Sequence, residues 1–132
     1  MNIKQTAWVF IVNDSHEVLL HRRLNTWYQQ DKLGLIGGNV DAGETPQEAA
    51  IRETKEETSL ILTLEDLKLL TVTEEPYEDS LYRNSYYIIN KWSGTPENVE
   101  PERCGGLSWH SLTSLPEDTI ASIRKIADTY LS

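Results

Sequence analysis

Three glutamates, Glu53, Glu56 and Glu57, are crowded into the stretch AIRETKEETSL at residues 50–60. Each residue of a helix advances by about 100°, so the three side chains share an arc of roughly 100°. Like charges at such spacings cost roughly 0.2–0.5 kcal/mol per pair, and Lys55 lies on the other side of the helix. One interpretation is an acidic face exposed to solvent. The other is a divalent-cation site, because Mg²⁺ prefers carboxylate oxygens.

A glycine-rich stretch, GLIGGNVDAGE at residues 34–44, precedes this acidic segment. Glycine tolerates positive φ and lets the backbone approach a ligand or a metal ion closely. A tight turn is the simpler explanation of the glycines. Their order, followed by a capped helix with its acids on one side, favours a site for metal and phosphate. A carboxylate beside the metal could also orient or deprotonate water.

Residues 38–60 resemble the Nudix box. That pattern is Gly, five residues, Glu, seven residues, Arg-Glu, an apolar residue, any residue, Glu-Glu, any residue, Gly and an apolar residue. The chain supplies the matching residues Gly38, Glu44, Arg52, Glu53, Glu56, Glu57 and Leu60. It departs from the pattern at Thr54, which replaces the apolar residue, and at Ser59, which replaces the final glycine. Ile36 stands where the family commonly has proline.

The resemblance implies an α/β (α+β) fold with a mixed β-sheet sandwiched between helices. It also implies hydrolysis of a nucleoside diphosphate linked to another group, with Mg²⁺, or alternatively Mn²⁺, as the cofactor. In similar enzymes the glutamates at Glu56 and Glu57 bind the metal. The glutamate at Glu53 binds metal or serves catalysis by activating water, and Arg52 serves catalysis by orienting the glutamates.

The same resemblance extends to the residues around the acidic helix. The backbone carbonyl of Gly37 is a candidate metal ligand, and Gly38 is a candidate for binding substrate. Glu44 is expected in the outer shell, where it supports the residues that bind the metal.

A second segment, residues 95–116, is similar to a part of MutT-like nucleoside triphosphate diphosphatases that runs N-x-E-P-E-K-C, then W, then L-P. In this chain it begins with Asn98 and continues as EPERC at residues 100–104. A carboxylate from this loop can join the metal site or lie near the base pocket. We assign Glu100 to the metal site and Glu102 to substrate binding. An ordinary surface loop is the alternative.

Residues 23–32 contain further candidates for contacts with a nucleotide. Arg23 and Lys32 are candidates for binding phosphate, and Trp27 and Tyr28 are candidates for stacking on a base. For each of them, an ordinary surface or packing role remains open. The histidines and Cys104 lack ligand spacing and are expected to be structural.

Composition restricts the function classes. The 132 residues fit a single domain (residues 1–132), and the formal net charge of −9 disfavours a sequence-independent nucleic-acid binder. One cysteine allows no disulfide within the chain, which fits a reducing compartment. No signal peptide and no apolar run of the roughly 18–20 residues needed to span a bilayer is evident. We therefore expect a cytoplasmic protein without membrane or nucleic-acid partners.

The apolar patterns also predict secondary structure. Thr45, Pro46 and Glu48 form a capping box for a helix over residues 45–59. Residues 116–131 predict a closing helix whose apolar positions are Ile120, Ile123, Ala127 and Tyr130. Loops are expected at 24–32, 76–83 and 95–106, strands at 6–14, 17–23, 67–75, 84–94 and 107–112, and a strand, a turn and a second strand over 33–40.

Three functions are compatible with these patterns. The first is hydrolysis of a nucleoside triphosphate to a nucleoside monophosphate and pyrophosphate, by in-line attack of water on phosphorus. The second is hydrolysis of another diphosphate, such as ADP-ribose, a nucleotide sugar or a dinucleoside polyphosphate. The third is a sensor of nucleotides without catalysis, which the full set of box glutamates disfavours. The partner is then a small nucleotide, and a homodimer is an open alternative to a monomer.

Overall fold

The computed structural model describes residues 2–26 and 28–132. A short 3-10 turn at Leu64–Asp66 separates the first helix from the fifth strand. The main elements, in chain order, are β1 (Asn2–Ile11), β2 (Glu17–Arg23), β3 (Leu33–Gly34), β4 (Ile36–Asn39), α1 (Pro46–Thr58), β5 (Lys68–Tyr77), β6 (Ser80–Ile89), β7 (Cys104–Ser111) and α2 (Ala121–Tyr130).

The strands form two sheets. The larger has the order β4-β1-β6-β5 and the smaller β3-β2-β7. Strand β1 runs parallel to β6 and antiparallel to β4, so the larger sheet is mixed. Such a sheet carries side chains on two faces, and each face needs a cover.

Alternation along β1 distributes the core between the two helices. Ala7 and Val9 pack with Ala49 and Ala50 of α1, whereas Phe10 packs with residues of α2 such as Ile123 and Ile126. Side chains of successive strand residues point to opposite faces, so one strand supplies both cores. The prediction of a mixed sheet between helices is confirmed.

Helix α1 begins as its sequence predicts. The Thr45 hydroxyl accepts a hydrogen bond from the Glu48 amide at 3.1 Å, and the Glu48 carboxylate accepts one from the Thr45 amide at 2.9 Å. The helix turns Ala49, Ala50, Thr54 and Thr58 toward the sheet. Thr54, which replaces the apolar residue of the box, is fully buried, and its hydroxyl has no hydrogen-bond partner among the described residues.

Several predicted bounds are wrong: the strands predicted at 6–14 and 84–94 are Asn2–Ile11 and Ser80–Ile89, and the last strand begins at Cys104, inside the predicted loop 95–106. The segment 76–83 is not a loop, because β5 runs to Tyr77 and β6 begins at Ser80 in a tight hairpin. The last turns of the predicted closing helix are correct, but the helix begins at Ala121 rather than at residue 116. Tyr130, predicted on the apolar side of this helix, is 50% exposed, whereas Ile126 is buried in the core.

The errors at the hairpin and at the closing helix have physical causes. The hairpin residues are polar and aromatic because most of them face solvent or the cleft described below, so no apolar run marks them as strand. The chain before Ala121 is held outside the helix by backbone bonds, since the Ile120 amide donates to the Leu33 carbonyl at 2.9 Å. Among the described residues, no helix combines the length and the apolar character needed to cross a membrane.

The end of α1 gives a testable consequence. Ser59 adopts φ 61° and ψ 5° in the left-handed region, and its amide donates to the Lys55 carbonyl. A residue with a Cβ is strained there and glycine is not. Ser59→Gly should therefore raise the free energy of unfolding by roughly 0.5–1 kcal/mol, as measured by chemical denaturation. Ser59→Ala, which keeps the Cβ, is the control without that gain, and a destabilised glycine variant would contradict the strain.

Candidate active site

The guanidinium of Arg52 lies at the centre of the acidic residues. Its Nε and Nη2 donate to the two carboxylate oxygens of Glu44, at 2.7 and 3.0 Å. Its Nη1 donates to Glu53 at 3.0 Å and to Glu56 at 2.9 Å. Nη2 also donates to the carbonyl of Asn39 at 3.0 Å, which ties α1 to the end of β4.

These contacts shift the protonation of the partners. The Glu44 carboxylate, only 15% exposed, accepts from Arg52 and from the Asp41 amide, and its pKa falls to about 2. The pKa of Arg52 is raised, first by Glu44 and then by Glu56. Arg52 and Glu44 are therefore a fixed ion pair at ordinary pH, and they hold the other acids in place.

Glu57 is in a different environment from its neighbours. Burial raises the pKa of its carboxyl well above the usual range, and a hydrogen bond with Glu53 and the charges of Glu53 and Glu100 raise it further. One carboxylate oxygen accepts a long bond of 3.4 Å from the Gly37 amide. Two carboxyl groups this close favour sharing a proton or a cation, so Glu53 and Glu57 are the pair best suited to bind a positive charge.

The two glycines of β4 allow this proximity. A Cβ on Gly38 would lie 2.6 Å from Cδ of Glu53, so only glycine leaves room for that side chain. Gly37 has φ 150° and packs against the backbone of Ala7 and Trp8. The close approach of the backbone to the carboxylates, expected from the glycines of the sequence, is present.

The loop between β6 and β7 packs against the end of α1. The Glu97 amide donates to the Thr58 carbonyl at 2.9 Å, and the Val99 amide donates to the Glu57 carbonyl at 3.3 Å. These bonds bring Glu100 into the lining of the cleft, where its charge acts on Glu57. Glu102 is exposed and is not part of that lining, so its position does not favour the predicted contact with substrate.

Arg23 faces the acids from β2. Burial lowers its pKa, whereas the charge of Glu57 raises it. Its side chain donates to the Tyr28 carbonyl at 3.3 Å, and Arg23 and Tyr28 both line the cleft. Trp27, the other predicted stacking residue, lies outside the described residues, and Lys32 is exposed away from the lining.

The cleft has a volume of about 1170 Å³ and extends well beyond the acids. Its far part follows the face of the larger sheet. Sequence reasoning missed this part, since the alternation of side chains along a strand does not show whether the inward face packs in a core or lines a pocket. Residues that line it include Lys4, Thr6, Trp8, His21, Glu75, Tyr77, Tyr82, Asn84 and Tyr86. The His21 ring stays neutral, because burial and the charge of Arg23 lower its pKa to about 4.

The acids do not form a closed metal cage. Within residues 2–26 and 28–132, no group of three or more His, Cys, Asp or Glu side chains is arranged to hold a metal ion by itself. Arg52 takes up oxygens of Glu44, Glu53 and Glu56. This is compatible with Mg²⁺, which commonly takes one or two protein carboxylates and completes its shell with substrate phosphates and water.

Comparisons with known proteins agree with this geometry. A model of the NUDIX domain family matches residues 3–130. An 8-oxo-dGTP diphosphatase of Escherichia coli (strain K12) is 29% identical over 114 residues, which cover 86% of this chain and 84% of that protein. The crystal structure of a MutT NUDIX hydrolase from Burkholderia pseudomallei has a TM-score of 0.88 and 27% identity, covering 100% of both chains.

A more partial likeness is also present. An ADP-ribose pyrophosphatase of Methanocaldococcus jannaschii is 39% identical over 69 residues, which cover 52% of this chain and only 39% of that protein. The family model spans nearly the whole chain, and the box residues Glu44, Arg52, Glu53 and Glu57 meet at one end of the cleft. The chain therefore belongs to the NUDIX domain family and is a MutT-like Nudix hydrolase.

Proposed function

We propose that this hydrolase converts a nucleoside triphosphate and water to a nucleoside monophosphate and pyrophosphate, with Mg²⁺, or Mn²⁺ in its place, as cofactor. The observation that carries the proposal is that the carboxyl groups of Glu53 and Glu57 both lie against the glycines of β4: a Cβ on Gly38 would be 2.6 Å from Glu53, and the Gly37 amide donates to Glu57 at 3.4 Å. This pair lies at one end of a cleft of about 1170 Å³, which exceeds the roughly 300–1,000 Å³ of common ligand pockets. Members of the family generally use divalent metal ions.

The residues present fit such an ion. The ligands that we assign supply oxygens only: the carboxylates of Glu53, Glu57 and Glu100 and the carbonyl of Gly37, all residues of the cleft lining. Hard divalent cations prefer such ligands. The raised pKa of Glu57 indicates how unfavourable a second negative charge is there without a cation. When bound, Mg²⁺ would neutralise phosphate charge and polarise the phosphoryl oxygens.

The protein side chains have separate roles in this proposal. Arg52 and Glu44 form the fixed ion pair that aims Glu53 and Glu56. Glu53 accepts the proton of the attacking water, because Gly38 leaves room for its carboxylate in the lining of the cleft. Arg23 binds a phosphate from the opposite wall, since a guanidinium matches phosphate geometry. Glu56, whose side chain is 48% exposed, binds the metal ion at the outer edge of the site.

Hydrolysis of another diphosphate is the second candidate. The likeness to an ADP-ribose pyrophosphatase, which extends over 69 residues, favours this second candidate. The greater coverage of the 8-oxo-dGTP diphosphatase, 86% of this chain, favours the triphosphate. We also propose that the chain is a single catalytic domain of the cytoplasm that can assemble as a homodimer.

A substrate panel tests the proposed function. Purified protein is incubated with nucleoside and deoxynucleoside triphosphates, ADP-ribose and nucleotide sugars, with Mg²⁺ or Mn²⁺, and the released phosphate species are identified. We expect pyrophosphate and monophosphate from triphosphates. Faster turnover of ADP-ribose or a nucleotide sugar would favour the second candidate. No turnover of any compound would overturn both.

Substitution of Glu57 tests the metal assignment. Glu57→Gln keeps the shape of the side chain and removes its charge, so metal-dependent kcat/KM should fall by at least about 100-fold, since even groups that support metal ligands are worth 10–100-fold. Mn²⁺ binding, measured by calorimetry, should weaken in parallel. Glu65→Gln, an exposed carboxylate on the 3-10 turn, is the control. Activity retained within a few-fold would show that Glu57 is not a ligand.

Gly38 offers an independent test of the position of Glu53. In Gly38→Ala the added methyl would collide with the end of the Glu53 side chain, which can swing away. Activity should therefore fall by about 10–100-fold while the melting temperature changes little. Gly37→Ala should instead lower the melting temperature, because its Cβ would meet the backbone of Ala7 and Trp8. Full activity of Gly38→Ala would show that the position of Glu53 is not needed for the reaction.

A further inference from the structure

A row of polar side chains crosses the face of the larger sheet in the part of the cleft far from the acids. The Trp8 indole Nε1 donates to the Thr6 hydroxyl at 2.8 Å, and the Thr6 hydroxyl donates to Asn84 Oδ1 at 2.6 Å. Asn84 Nδ2 donates to the Thr73 hydroxyl at 3.3 Å. The row runs from β1 across β6 to β5, because Thr6 and Thr73 are the register partners of Asn84 on its two sides.

The chemistry of this row fixes the orientation of the Asn84 amide. An indole N–H only donates, so the Thr6 oxygen accepts from Trp8, and its own proton is directed to Asn84 Oδ1. The carbonyl oxygen of Asn84 thus faces Thr6, and its NH₂ group faces Thr73 on β5, where it has an acceptor. One N–H and one lone pair of this amide remain for a ligand.

Such a row is unfavourable in a sheet core. Thr6 and Asn84 are 5% and 8% exposed, and burying polar groups costs free energy unless they are paired. Farther along the same face, the register pair is Phe10 and Ile88, which join the apolar core. This face of the sheet thus carries apolar pairs where α2 covers it and polar pairs where it lines the cleft.

Glu75 completes the arrangement on β5. It follows Thr73 by two residues and therefore points to the same face, and it lines the cleft with Asn84 and Tyr86. Its charge reaches the Tyr86 hydroxyl, since burial and then Glu75 raise the pKa of Tyr86 to about 12. On its β5 side, the cleft therefore presents a hydrogen-bond donor, the Asn84 NH₂, followed by an acceptor, the Glu75 carboxylate.

We propose that Asn84, oriented by Trp8 and Thr6, and Glu75 determine base specificity and select guanine. The inference rests on the proposed function, because it assumes that the cleft holds a nucleotide with its phosphates at the acids. A guanine edge carries the acceptor O6, then the donors N1–H and N2–H. O6 would accept from Asn84 and the two donors would bind one carboxylate, which makes the stronger charge-assisted pairing.

Adenine matches this pair less well. Its corresponding edge offers one N–H donor at N6 and an acceptor at N1, so the carboxylate would bind a single donor. The edge that we assign is the same in guanine and in 8-oxoguanine. Any preference for an oxidised base would therefore come from contacts other than Asn84 and Glu75.

The test compares kcat/KM for GTP, ATP and ITP in the presence of Mg²⁺. The wild-type enzyme should prefer GTP over ATP by about tenfold or more, since the carboxylate binds two donors of guanine and only one of adenine. ITP, which lacks the N2 amine, should be poorer than GTP. Asn84→Asp replaces the donor by an acceptor and should remove most of the preference for GTP over ATP. Glu75→Gln should reduce the difference between GTP and ITP.

Matched variants separate recognition from packing. Thr6→Val removes the hydroxyl at nearly constant volume and should lower the ratio of GTP to ATP, whereas Thr6→Ser should keep it. Glu74→Gln alters the neighbouring carboxylate, which binds Arg83 at 2.7 Å on the other face, and should leave both ratios unchanged.

The outcomes distinguish this inference from the proposed function. Turnover of GTP and ATP at similar kcat/KM by the wild-type enzyme would overturn the guanine site and leave the hydrolase intact. An unchanged ratio of kcat/KM for GTP to that for ATP in both Thr6→Val and Asn84→Asp would also overturn the guanine site. The wild-type comparison of GTP with ITP needs no variant, so the test stands even where a substitution prevents folding. No turnover of any nucleotide would overturn the proposed function itself.

Discussion

The acidic end of this protein depends on the charge of one arginine. Without Arg52, the carboxylates of Glu44, Glu53 and Glu56 would repel one another across α1 and the preceding turn. The guanidinium binds all three and also the carbonyl of Asn39, so it fixes both the helix and the end of β4. Because one planar group makes all these bonds, the acids are held in a defined arrangement rather than spread into solvent.

The fold then decides which acids remain available. Arg52 satisfies Glu44 almost completely, whereas Glu57 is half-buried near Glu53 and accepts only a long bond from the Gly37 amide. The helix cap of Thr45 and Glu48 and the buried alanines Ala49 and Ala50 set the rotation of α1 on the sheet. That rotation places the apolar face on the core and the acidic arc above the glycines of β4.

The mixed sheet gives the cleft two different ends. Its polar, acidic end is built by β4, α1 and the loop that carries Glu100, and suits phosphates and cations. Its other end is the face of β1, β6 and β5, where Thr6 and Asn84 replace the apolar pairs of the core. Parallel pairing of β1 with β6 brings together residues 78 positions apart in sequence, which local contacts cannot do.

The sequence by itself determined the elements whose signals are local: the capping box, helix α1, the glycines and the order of the box acids. These depend on spacing within one helix or turn, so they can be recognised without knowing the fold. The tertiary structure alone decided that Glu100 rather than Glu102 lines the cleft, that the 76–83 segment is a hairpin, and that Thr6, Glu75 and Asn84 share a wall. Such contacts join distant strands and loops, and the chain alone does not encode them in any short pattern.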